Sequence, residues 1–155
     1  MNFRKQMIWL ACIPLLLFTG CGLIGSDNIC DKEELLPFET PVSERVSCLL
    51  QNINENETEI SLIIDNRVDL EKYVRCNASI PDIDFEKSII LAGRTKLYAC
   101  GKLKDQNVAL KCSKIEYHIK IEKIDCHKPT DVFYFAILPV AYMEYPVDFI
   151  VTKDQ

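Results

Sequence analysis

Apolar and polar positions alternate with a period of two over most of the chain beyond Val46, and only one short stretch changes to a helical period. Val46-Ser47-Cys48-Leu49-Leu50 and Glu59-Ile60-Ser61-Leu62-Ile63-Ile64 read as strands on either side of a polar turn at 52–57. Asn66 can cap a helix, with Asp69 three residues on supporting its first turn. Within Arg67–Arg75, Val68, Leu70, Tyr73 and Val74 share one side, which predicts a two-turn helix docked on a sheet. Ser88-Ile89-Ile90-Leu91-Ala92-Gly93 and Val132–Leu138 are apolar almost throughout, the mark of central strands covered on both faces. Ile115, Tyr117, Ile119 and Ile121 alternate with Glu116, His118, Lys120 and Glu122, which predicts a strand with one wet face. Inward parity changes between Val108-Leu110-Cys112 and Ile115, so Ser113-Lys114 marks a bulge or tight turn. Lys104-Asp105-Gln106-Asn107 reads as a hairpin tip, and Val147-Asp148-Phe149-Ile150-Val151 as the closing strand. Strands at short intervals predict a mainly β chain, an antiparallel sandwich or partly open barrel with one helix near 67–75; α+β is the alternative.

The first forty-five residues follow a different pattern. Arg4 and Lys5 precede an apolar block from Met7 to Phe18, and residues 1–20 contain no acid. The block is about a dozen residues long against the ~20 of a bilayer-spanning helix, and Pro14 interrupts it. This is the order of a secretory signal. Its end, Leu15-Leu16-Leu17-Phe18-Thr19-Gly20-Cys21, resembles a bacterial lipobox, with Phe18 where Leu is usual. The resemblance implies cleavage before Cys21, acylation of that cysteine, and a membrane contact made by acyl chains without a crossing segment. Gly22, where an inner-membrane retention signal carries Asp, implies the outer membrane of a bacterial envelope. Residues 21–45 then read as a tether and irregular lead-in, Asp31–Leu36 having the composition of a single helical turn, and 46–155 as one domain.

Removing residues 1–20 leaves 135 residues and moves the net charge from −5 to −7. With no basic cluster along the chain, a nucleic-acid partner is not expected. Hydrophobic residues make up 48% of the chain, enough for a domain of this size to bury a core of its own. Setting aside Cys12 and Cys21, the even set Cys30, Cys48, Cys76, Cys100, Cys112 and Cys126 predicts three disulfides in an exported chain. Six cysteines allow fifteen pairings. Only Cys100 with Cys112, symmetric about Gln106, is suggested locally. No Cys-x-x-Cys occurs, which argues against zinc and thioredoxin-like chemistry.

Catalytic groups are sparse. No Gly-x-Ser-x-Gly elbow or phosphate-cradling glycine loop is present, and the cysteine count leaves no spare nucleophile. His118 lies on the wet face of its strand, and His127 follows Cys126 in a turn without a second ligand cluster. Asp82 and Asp84 suit turn capping better than acid–base work. The sequons at Asn56 and Asn77 have no expected role in a bacterial chain. No catalytic, metal or cofactor residue is assigned, and no enzyme activity is expected. The composition of Pro139–Pro146, with Tyr142, Met143 and Tyr145 between prolines, is that of a protein-partner surface. Its alternative role is as cover for the core.

The helix Val68-Asp69-Leu70-Glu71-Lys72-Tyr73, the loop Pro81-Asp82-Ile83-Asp84-Phe85-Glu86-Lys87, the apolar strand to Gly93 and Phe135-Ala136-Ile137-Leu138-Pro139 carry a further resemblance. Over residues 59–153 the chain is similar to small uncharacterised bacterial lipoproteins and to the C-terminal domain of protease-complex-subunit-B-like proteins. It departs from them at Val140, where Lys is usual after the Pro. The resemblance implies a β-rich extracytoplasmic fold and transfers no catalytic residue. The reading is therefore a lipid-anchored binding or accessory domain. A regulatory subunit or inhibitor of an envelope protease and a small hydrolase are the alternatives.

Overall fold

Strand β5 (Ser88–Leu97) is the central strand of the molecule, and its alternating side chains feed two separate cores. The computed structural model describes residues 32–43, 46–78, 82–126 and 128–154. Cys21, Cys30 and His127 lie outside them.

β5 is the middle of a three-stranded antiparallel sheet, flanked by β3 (Glu59–Ile64) and β8 (Thr130–Pro139). Ile89, Leu91 and Leu97 of β5, with Val132, Tyr134, Ala136 and Leu138 of β8, point to one face. Against them pack Val108 of β6 (Cys100–Lys111) and Ile115, Tyr117, Ile119 and Ile121 of β7 (Lys114–Ile124). These two strands belong to a four-stranded sheet, β1-β6-β7-β9, in which β1 is Glu33–Leu36 and β9 is Val147–Asp154. The other face of the three-stranded sheet, with Ile64, Ile90, Ala92 and Phe135, is covered by Leu70 of α1 (Arg67–Tyr73) and by the small β2–β4 ladder. That ladder pairs Cys48–Leu50 with Val74–Cys76. The chain is thus mainly β, a sandwich with a third layer outside the central sheet, and among the described residues no barrel closes.

The sequence expectations are met in β3, in the wet-faced β7 and in the helix, whose cap Asn66 accepts a hydrogen bond from the Asp69 amide at 2.8 Å. The helix ends at Tyr73, two residues short of the periodic pattern, because Val74 enters the β2–β4 ladder, and Val68, expected on the docked side with Leu70, instead faces solvent at 74% exposure. The tight turn is real as well: Cys112 and Ser113 have φ of 53° and 60°, the two left-handed residues of a β6–β7 hairpin.

Four expectations are corrected. Lys104–Asn107 is no hairpin tip: β6 runs through it, and its polar residues sit at a bulge between Leu103 and Asp105. The chain reverses earlier, at Tyr98-Ala99. Glu33–Leu36 forms a strand beside β6 in place of a helical turn, and Leu36 reaches the core. β8, although apolar on both sides, is the lateral edge of its sheet, bridged on its far side at Ile137 by Glu39. Its apolar run reflects cover above and below, not hydrogen-bonded neighbours. Finally, β9 pairs with β7 in parallel, from Ile115 beside Val147 to Glu122 beside Asp154, because the chain crosses through β8 of the other sheet before returning.

Candidate functional surfaces

The disulfides fix where the chain's irregular segments sit. Cys48 and Cys76 face each other across the β2–β4 ladder, their Cα atoms 4.0 Å apart. Cys100 is bonded to Cys126, with a Cα separation of 5.4 Å, which overturns the Cys100–Cys112 pairing. The local symmetry failed because 104–107 is not a turn, so Cys100 and Cys112 stand at opposite ends of one extended strand. Cys112 is also disulfide-bonded.

The segment after β8 folds tightly. Val140–Tyr142 is a 3-10 turn anchored by the Val140 amide, which donates to the Lys87 carbonyl, and the Met143 and Tyr145 amides close successive turns onto Val140 and Tyr142. Tyr142 and Tyr145, ring centroids 6.3 Å apart, pack against the core between the sheets. Met143 stands out at 49% exposure. Of the three residues expected from sequence as a partner surface, the structure leaves one apolar side chain about half-exposed, Met143, beside two partly buried rings.

Asp82 and Asp84 do not converge. The exposed Asp82 carboxylate lies 3.6 Å from Arg67, whereas Asp84 accepts from the Glu86 amide and pairs with Lys87 at 2.7 Å. Lys87, then the Glu86 amide, holds the Asp84 carboxyl below the usual carboxylate range. This is a turn cap. His118 is half-exposed on the outer face of the four-stranded sheet, 3.3 Å from Glu116. Around it run ion pairs, within β7 between Lys114 and Glu116, and across strands between Lys114 and Asp148, Lys102 and Glu122, and Asp154 and both Lys104 and Lys120. Among the described residues no group of three or more His, Cys, Asp or Glu side chains could hold a metal ion. No helix of the described residues is long and apolar enough to cross a membrane.

Sequence reading passed over Arg94, a cation only 2% exposed in the middle of β5. Its guanidinium donates to the carbonyls of Asn54 and Glu57, the Asp131 carboxylate lies 4.0 Å away, and its Nε has no partner. Arg94 therefore clamps the 54–57 turn onto the sheet. A charged residue inside a largely apolar strand was the available signal, but nothing local shows that a loop forty positions earlier covers it.

Comparison of the chain with protein-family models, with curated proteins and with solved structures finds no match.

Proposed function

We propose that the chain is a lipid-anchored accessory or binding domain of a bacterial cell envelope, held at the membrane by acyl chains on Cys21. The observation that carries this reading is Leu15–Cys21 with its basic, then apolar, lead: small Thr19 and Gly20 give a peptidase room to close on the backbone. Paired cysteines suit an oxidising compartment, where thiols are not kept reduced. Two or more acyl chains, at ~0.8 kcal/mol per buried methylene, hold a protein to a membrane almost permanently. Gly22 directs the reading to an outer membrane.

Intact mass of the protein extracted from bacterial membranes tests it. The expected species begins at Cys21 and carries acyl mass; an unacylated species beginning elsewhere overturns the reading. In its accessory role the domain meets a protein partner through Met143. Met143→Glu is expected to remove a co-purifying partner and leave the melting temperature unchanged, whereas Tyr142→Ala and Tyr145→Ala lower it because both rings cover the core. A partner that survives Met143→Glu places the contact elsewhere.

A further inference from the structure

The two ends of the sandwich differ in kind. The described chain enters at Lys32, beside the Cys112–Ser113 turn, and Pro146 lies at the same end, its carbonyl accepting from the Ile115 amide. β7 runs away from that end for eleven residues, about 36 Å at 3.3 Å per residue. At the far end are Ile124, the Tyr98-Ala99 turn, the Cys100–Cys126 bond and the close of β9.

That far end holds a cavity of about 400 Å3, within the range of small-ligand pockets. Three lysines from three strands line it, Lys96 of β5, Lys123 of β7 and Lys153 of β9, together with Leu97, Tyr98 and Thr58. The one carboxylate in contact with these cations is Glu59, on Lys153, which leaves Lys96 and Lys123 without an acidic partner among the described residues in a chain whose net charge is −5. Two of the cations are held in place: Lys96 Nζ donates to the Glu55 carbonyl at 3.0 Å, and Lys153 Nζ pairs with Glu59 at 2.6 Å. Lys123 is exposed and has no ion-pair partner among the described residues. The turn that forms the cavity's rim is pinned at its root by the Cys100–Cys126 bond, and Leu97, 5% exposed, supplies a fixed apolar wall. Gly101 matters to that wall, because a Cβ there would collide with the Leu97 side chain. Tyr98 stands at 81% exposure, an aromatic ring that the folded core does not use.

We propose that this end of the molecule binds a small organic anion: one acidic group, carboxylate, sulfonate or phosphate, carried on an apolar or aromatic body. The ammonium groups attract the acid across a concave wall that concentrates their field. Leu97 and the Tyr98 ring take the body. The acidic group alone is too strongly hydrated to be held by exposed lysines, and the body alone has too little wall to bury, so both parts are needed. The site lies at the opposite end of the sandwich from Lys32, the first described residue, and its binding does not depend on acylation of Cys21.

The test titrates the purified full chain with 4-(trifluoromethyl)benzenesulfonate, read by 19F line broadening, which is followed equally well with detergent or lipid present. Inorganic sulfate and the neutral 4-(trifluoromethyl)benzenesulfonamide separate the acidic group from the body. Saturable binding is expected for the sulfonate, weakened roughly tenfold or more by Lys123→Glu, by Tyr98→Ala and by high salt, and unchanged by Lys111→Glu. Lys123 and Tyr98 are both exposed, so neither change disturbs the core. Absence of saturable binding overturns the proposal. So does equal binding of the sulfonamide, or binding that survives both Lys123→Glu and Tyr98→Ala.

Discussion

Gly93 sits in the middle of the most buried strand, a position where glycine ordinarily weakens a sheet. Its reason is Tyr134, directly opposite on β8, whose ring lies over the place a Cβ would occupy. The ring in turn meets Tyr117 edge-on at 5.9 Å, and Tyr117 packs on Phe149 at 5.5 Å, so one aromatic chain ties both sheets together. Burial raises the pKa of the Tyr134 hydroxyl, and more strongly that of Tyr117. Gly93→Ala is therefore expected to destabilise the domain by about 1–3 kcal/mol, the range for overpacking a filled core. A melting temperature equal to the parent's would show that the ring can move aside. Arg94, one residue on, raises a different question at the same scale. Replacing it by Met removes a buried charge but strands the carbonyls of Asn54 and Glu57. The expected result is faster amide exchange through 54–58 together with a loss of stability.

At the scale of elements, the helix shows how little of its stability is its own. Seven residues cannot hold a helix in water. Asn66 satisfies the Asp69 amide, Arg67 pairs with Glu71 at 2.9 Å, and Leu70 is buried in the outer core. Asn66→Ala is expected to cost about 1 kcal/mol in chemical denaturation. The outer face of β6, β7 and β9 depends on pH. Lys104, then Lys120, holds the Asp154 carboxyl below its ordinary value. A depressed carboxylate contributes stability that is present above its unfolded pKa, near 3.9, and is lost as pH falls through its folded value. Melting temperature followed from pH 5 downward should therefore fall less steeply for Asp154→Asn than for the parent. Salt should narrow the gap, since these groups are exposed.

The cysteines join the two ends of the argument at the scale of the molecule. Two bonds join Cys48 to Cys76 and Cys100 to Cys126, and Cys112 is disulfide-bonded as well. Glu33 pairs with Lys111, so the chain meets Cys112 just before β1 begins. Cys30 is the remaining member of the even set, and peptide mapping of the unreduced protein is expected to link it to Cys112. Full reduction should add about 6 Da, two hydrogens for each of three disulfides. A free thiol at either position would sink the assignment and reopen the even count on which the lipobox reading leans.

What the sequence determined by itself follows from interactions that repeat locally. Period-two burial placed β3 and β7, the Asn66 cap placed the helix start, and the apolar runs marked β5 and β8 as covered on both faces. The lead to Cys21 and the even cysteine count are likewise matters of order along the chain. Everything that joins distant residues waited for the tertiary structure. Which cysteines meet, that β9 runs parallel to β7, and that Arg94 clamps a loop forty residues away are set by packing of whole sheets, which no short window contains. The lysines make the same point. Lys96, Lys123 and Lys153 are scattered along an acidic chain with no basic cluster, and only the convergence of three strand ends brings their charges to one cavity wall. Charge acts through space, and the fold decides which charges are near.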